Sequence, residues 1–333
     1  MHPSYGHNYC GHYCQANYDL AKKIVNNAHA GVSRLGNDEA LGLVIEAKKD
    51  EEKLLEVIAD IKFNPNNWII SDVKKEGHEI TRIEFKPIDI SPYCGPILNH
   101  CDKTVMMSAT ILDKDAFCAT IGLAPEKVKL IQVGSDFPVW NRPIYPLNIA
   151  PFNYTQLQQD NVQKSIARVI DTIMTKHSSE HGIIHTTSYK QLNFIRENIS
   201  QENRSRLLET GPEIERNIVI TEHRNATKPT VLISPSLYLG LDLKDDLSRF
   251  QIITKVPYPS LGDRWIDEKR RRSSQWYTWQ TALKLVQGYG RSIRSNEDWA
   301  VTYVLDGMFK SFVDRNKNIL PDWFTSAIKR ITI

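Results

Sequence analysis

Val231-Leu232-Ile233-Ser234-Pro235-Ser236-Leu237-Tyr238-Leu239-Gly240-Leu241-Asp242 joins an unbroken apolar triplet to a loop of serine, glycine and aspartate. An apolar run without polar alternation, closed by turn residues, predicts a strand buried on both faces, as in a parallel sheet. Gly240 lets the backbone turn sharply or approach a phosphate, and Asp242 can orient a cation or bind a ribose hydroxyl. Similar elements recur on either side. Gly182-Ile183-Ile184-His185-Thr186-Thr187-Ser188-Tyr189 reads as a strand opening into a hydroxyl-rich loop, and Phe250 to Thr254 and Val301 to Leu305 read as further strands. Helical spacing fills Gln156 to Lys176, Tyr189 to Ile199, Asp263 to Val286 and the region of Trp323 to Arg330. Strands alternating with helices predict an α/β fold, a parallel sheet with helices on both faces. Ligands of such sheets sit at the carboxyl ends of strands, where the loops after His185, Ile233 and Val286 are expected to gather.

Upstream, Tyr18 to Ala30 and Asp50 to Ile61 have helical spacing, and Asn64-Pro65-Asn66-Asn67 stops the second helix. Trp68-Ile69-Ile70 and Ile80 to Phe85 predict two strands around a turn at Glu76-Gly77. Lys103 to Met107 predicts a short buried strand, and Asp113 begins a helix that ends near Gly122. The aperiodic, Pro-rich stretch Gln132 to Tyr154 reads as an ordered crossover between domains. The expected division is a helical N-terminal remnant over 1–62, part of one domain over 63–135 and a second domain over 136–333.

With 333 residues the chain can bury one large core or two modest ones, and a formal charge of +3 is too small to argue for nucleic acid. No apolar run approaches the roughly 20 residues that span a bilayer. Met1 to Gln15 lacks the apolar core of a signal peptide, and five cysteines without export signals imply a reducing cytoplasm.

Gln287-Gly288-Tyr289-Gly290-Arg291-Ser292-Ile293-Arg294-Ser295 closes a long helical pattern with two arginines three residues apart. Arginine stays charged at working pH, and its planar fork matches phosphate oxygens. Such fingers stabilise charge spreading over a transferring phosphoryl group. A fourth segment, Ser108-Ala109-Thr110, follows the apolar run Val105-Met106-Met107. In this order the four segments resemble motifs III, IV, V and VI of superfamily-two DNA helicases of the XPD/DinG-like group. The resemblance runs from about Phe63 to the C-terminus.

It implies a RecA-like (P-loop NTPase-type) second motor domain preceded by part of a first. Arg291 and Arg294 would then be arginine fingers, with Gln287 a neutral partner of the terminal phosphate and Gly240, Asp242 and Gly290 near the nucleotide. Thr186, Thr187, Ser188, Tyr189 and Ser234 would hold single-stranded DNA, and Ser108 and Thr110 would couple hydrolysis to strand movement. One departure stands out: many members of the group have glutamate before the glycine, where this chain has Leu239. That acid's role does not transfer. Plainer roles also fit these residues: Ser188 as a helix cap, Thr110 as an ordinary strand-end hydroxyl, Asp298 as a local ion-pair partner of Arg294.

No G-x-x-x-x-G-K-[ST] loop occurs, and no strand ends in Asp-Glu-Ala-His. Asp38-Glu39-Ala40-Leu41 lacks a preceding strand, whereas Leu43-Val44-Ile45-Glu46-Ala47 reads as a strand with a single acid. ATP and Mg²⁺ are therefore expected to be shared with an N-terminal helicase half, of the same precursor or a separate chain. The partners implied are single-stranded DNA and that half, with no membrane; the isolated chain would be inactive. Cys10 and Cys14 do not make an iron–sulfur site, and no metal is expected on this chain. Lys269-Arg270-Arg271-Arg272, flanked by Trp265, Trp276, Tyr277 and Trp279, admits either a single-strand surface or a solvated helix face, with the tryptophans in the core. The alternative function is a non-catalytic module that binds nucleic acid or a partner.

Overall fold

A computed structural model describes residues 38–77, 79–150, 159–211, 215–238, 243 and 245–329. The helix expected at Tyr18 to Ala30, Cys10, Cys14, Gly240 and Asp242 lie outside these residues. In chain order the longer elements are α1 (Asp38–Phe63), β1 (Trp68–Glu76), β2 (Glu79–Pro87), α2 (Lys114–Ile121), β3 (Ile144–Ala150), α3 (Asp160–Lys176), β4 (Gly182–His185), α4 (Tyr189–Asn198), β5 (Leu207–Glu209), α5 (Arg216–Asn225), β6 (Val231–Ser234), β7 (Phe250–Ile253), α6 (Arg264–Arg272), α7 (Ser274–Tyr289), β8 (Val301–Asp306) and α8 (Met308–Arg315). They form two compact units: residues up to Cys94 with Ser260–Arg272, and Gly95–Pro259 with Ser273–Ile333.

In the first unit α1 buries Ile58 and Ile61 against Leu54, Trp68 and Phe85. Asn64 stops it as predicted, its amide donating to Asp60 Oδ1 at 2.8 Å. β1 and β2 pair antiparallel across Gly77, whose φ of 63° a side chain would strain. The segment Leu43 to Ala47 is part of α1, and Glu46 is exposed on it, so the strand reading fails there. Helical neighbours satisfy its backbone without any sheet. α6 docks through Trp265 Nε1 on the Pro87 carbonyl (2.8 Å) and Lys269 Nζ on that of Ile88 (2.7 Å). Arg270 and Arg271 pair with Asp267 at 3.0 and 2.7 Å, and Arg272 with Glu268 at 3.1 Å. The basic run thus closes its own helix.

The second unit is built on six parallel strands in the order β3-β8-β7-β4-β6-β5. Successive residues of its central strands point to opposite faces. Ile184, Ile233 and Ile252 meet Ile166, Ile170 and Met174 of α3. Ile183 and Leu232 meet Val219 and Ile220 of α5, with Leu237 and Leu243. Burying each such side chain contributes roughly 1.5–3 kcal/mol. Polar grips hold the helix ends. Arg206 donates to the carbonyls of Met174 (2.8 Å), His177 (2.9 Å) and Glu180 (2.8 Å), covering the end of α3.

Several expectations are corrected. Lys103 to Met107 forms no strand: Val105 is 85% and Met107 91% exposed. An apolar run becomes a buried strand only when neighbours take up its N–H and C=O groups. The Gln132 to Tyr154 crossover contains β3, hidden by Pro143 and Pro146 but tolerated because it lies at the sheet's edge. The chain's last described turn meets the start of that edge: Ile144 N–H donates to Ala327 O and Lys329 N–H to Ile144 O, both at 2.8 Å. Asp263 to Val286 is two helices, because Ser273 caps α7 by accepting from Trp276 N–H at 3.1 Å. The helix near Trp323 shrinks to one turn, Asp322–Thr325. α5, α8 and β5 were not anticipated.

Candidate functional site

α7 carries the arginine-bearing segment and is held along one stripe. Gln275 donates to Asp113 Oδ2 (3.1 Å), Trp279 Nε1 to Ile111 O (2.7 Å) and Gln287 Nε2 to Thr110 Oγ1 (2.8 Å). At about 100° per residue, Gln275, Trp279 and Gln287 fan over about 120° of the helix circumference, one broad face. Two of the sequence-predicted residues, Gln287 and Thr110, therefore touch. Ser108 lies beside them, its Oγ accepting from Thr110 N–H at 3.2 Å. Trp276 and Trp279 are core residues. Along the same Ser108–Leu112 stretch opens a cavity of about 870 Å³, lined also by Ile131, Val133, Trp140, Arg142 and Trp323.

The helix runs back against the direction of the strands, as a crossover helix must. Its end therefore lies toward the strands' amino ends, where Ser292 Oγ meets Ser248 Oγ at 2.7 Å, two residues before β7. The expectation that this loop would lie at the carboxyl ends of the strands is corrected accordingly. Instead the β6 loop comes to it. Arg291 Nε donates to the carbonyl of Tyr238 at 3.0 Å. Arg294 is exposed, with one guanidinium nitrogen 2.7 Å from Gly290 O. Gly290 caps α7 through its N–H to Val286 O (3.0 Å) at an ordinary φ of −75°. Asp298 is buried rather than solvated. Its carboxylate binds Arg249 at 2.7 Å and accepts the backbone N–H of Arg294 at 3.0 Å.

At the carboxyl end of β4, Thr187, Ser188 and Tyr189 are exposed, whereas Thr186 is buried in the sheet. Ser188 caps α4, accepting from Gln191 N–H at 3.2 Å. Gln191 Oε1 in turn accepts from Thr187 N–H (3.0 Å) and from Thr254 Oγ1 (3.1 Å), tying together the loops after β4 and β7. Gln191 was overlooked, although serine followed three residues later by glutamine is the pattern of a capping box. Ser234 is fully buried; its hydroxyl meets those of Thr210 and Ser236, the latter at 3.0 Å. The structure thus separates the exposed trio from Thr186 and Ser234.

Between these regions lies an aromatic and cationic cluster. The Tyr238 ring packs on His185 at 4.5 Å, and Lys284 Nζ stands 4.7 Å over the same ring. Burial, reinforced by the nearby Arg291 charge, lowers the His185 pKa to about 3, so the ring is neutral. Burial also lowers the Lys284 pKa and raises that of the Tyr238 phenol. Among the described residues no group of His, Cys, Asp or Glu stands ready for a metal ion, and no helix is long and apolar enough to cross a membrane.

A wholly parallel sheet with helices on both faces, carrying an arginine-bearing segment beside a strand-end loop, defines a RecA-like α/β domain. Residues 171–327 match the family model of the helicase C-terminal domain. The chain is 23% identical over 304 residues to the ATP-dependent DNA helicase DinG of Photobacterium profundum, covering 82% of this chain and 42% of that protein. Over 102 residues it is 28% identical to the Fanconi anemia group J protein homolog of Gallus gallus, covering 27% of this chain and 8% of that one. A solved XPD helicase superposes with a TM-score of 0.57 at 16% identity, covering 89% of this chain and 56% of that one. Residues 171–327 thus match a helicase C-terminal domain, and the chain is similar to helicases of the XPD/DinG-like group. It spans less than half the length of these curated relatives.

Proposed function

We propose that the chain contributes the second motor domain of an ATP-driven DNA helicase. Arg291 and Arg294 face the triphosphate as fingers, Gln287 contacts its terminal phosphate, and Gly240, Asp242 and Gly290 border the nucleotide. The observation that carries this reading is the 2.8 Å bond from Gln287 to Thr110, which joins two motifs 177 positions apart one turn before Arg291. A single helix thereby links the Ser108–Thr110 segment to a guanidinium anchored on the β6 loop. Motion of one can be felt by the other.

Two cations fit a phosphate. The phosphate loop and the metal-holding acids belong to a first motor half, encoded in the same or another polypeptide. The exposure of Val105 and Met107 supports this, since apolar residues laid open to this degree suit burial against a further sheet. Single-stranded DNA would run over Thr187, Ser188 and Tyr189, where exposed hydroxyls can meet its phosphates. The buried Thr186 and Ser234 would support that contact from beneath.

Mixing the chain with a polypeptide carrying the phosphate loop and acid pair should give DNA-stimulated ATP hydrolysis. Arg291→Ala should lower kcat by about 10³-fold, the scale of a lost arginine finger. Undiminished turnover by that variant would refute the finger role. The exposed hydroxyls of α4 also favour a second reading, a strand-binding module without catalysis. It predicts salt-sensitive binding of single strands by this chain alone, indifferent to ATP.

A further inference from the structure

Gly288 has no room for a side chain. A Cβ there would lie 2.7 Å from Tyr238 Cδ1 and 3.1 Å from Cε1, closer than van der Waals contact allows. The ring cannot retreat easily, because His185 packs on it and Lys284 stands over it. The Tyr238 hydroxyl is buried and has no hydrogen-bond partner among the described residues, so the ring rather than the phenol is the working part. Three residues beyond Gly288, Arg291 Nε donates to this tyrosine's own carbonyl at 3.0 Å. The ring and the carbonyl belong to one residue. Whatever fixes the ring on α7 therefore fixes an acceptor of the guanidinium.

We propose that Tyr238 is a positioning residue for Arg291, its ring seated on Gly288 so that its carbonyl holds Arg291 Nε in place. The catalytic meaning of this rests on Arg291 acting as a finger; the local geometry does not.

The test uses the full chain, with the Arg291 Nε–H proton assigned by its loss in Arg291→Lys. Gly288→Ala should speed exchange of that proton about tenfold or more, as expected on releasing a hydrogen bond from a charged donor. Tyr238→Leu, which removes the ring without filling the helix surface, should do the same if Gly288→Ala does not fold. Tyr238→Phe should leave the rate unchanged. Ile170→Val, a core change elsewhere, should also leave it unchanged, separating a local latch from general loosening. Wild-type exchange in both Gly288→Ala and Tyr238→Leu would overturn the proposal. So would equal acceleration by Ile170→Val or by Tyr238→Phe. In the assembled motor, intact turnover by Arg291→Ala would sink the finger reading while leaving these exchange results standing.

Discussion

Val231-Leu232-Ile233 and Val105-Met106-Met107 are both apolar triplets followed by serine, and they meet opposite fates. The first is wholly buried in the middle of a sheet; the second lies outside any strand, with Val105 85% and Met107 91% exposed. Side-chain character alone does not decide between them. β6 has β4 on one side and β5 on the other to take its backbone groups, and helices on both faces. The Val105 run has no such neighbours among the described residues. Hydrophobicity proposes a strand, but hydrogen-bonded neighbours make one.

That contrast can be broken most directly by truncation. Leu232→Ala should cost about 2–5 kcal/mol in urea unfolding, whereas Val105→Ala should stay within about 0.5 kcal/mol. Equal losses would mean that the Val105 run is packed after all. The sheet side can be sharpened by acid. His223 bonds Leu247 O at 2.8 Å and Thr230 Oγ1 at 2.8 Å, and burial lowers its pKa to about 4; that of His185 falls to about 3. Because the folded values are depressed, the stability from these neutral rings is full above the unfolded pKa of about 6.5. It is lost as pH falls through the folded values, by roughly 3–5 kcal/mol for each ring. A stability profile flat from pH 7 to 4 would contradict this. Smallest is the link on the open side. Gln287→Ala should cost about 1 kcal/mol, and Thr110→Val a similar amount, with the double variant no worse than either if the bond is their only coupling.

β4, β6, β7 and β8 were legible to within about a residue because apolar runs sealed on both faces admit few alternatives. β3 was not, since Pro143 and Pro146 signal a loop and only an edge position makes them acceptable in a strand. The break between α6 and α7 rests on Ser273, whose capping role emerges only once Trp276 N–H turns toward it. At the site, residue identities were readable but their meetings were not. Gln287 and Thr110 are 177 positions apart, and topology alone brings them together. Tyr238 contributes to Arg291 through a main-chain oxygen that every residue has, so its letter carries no hint of the contact. Only the tight fit at Gly288 gives the ring a reason to be where it is.

The bonding of Ile144 to the turn ending at Lys329 closes the first position of the sheet's edge strand on that flank. At the opposite flank β5 runs for just three residues, Leu207–Glu209. A foreign strand seeking to lengthen the array thus meets a blocked first position at one border and a template of only three residues at the other.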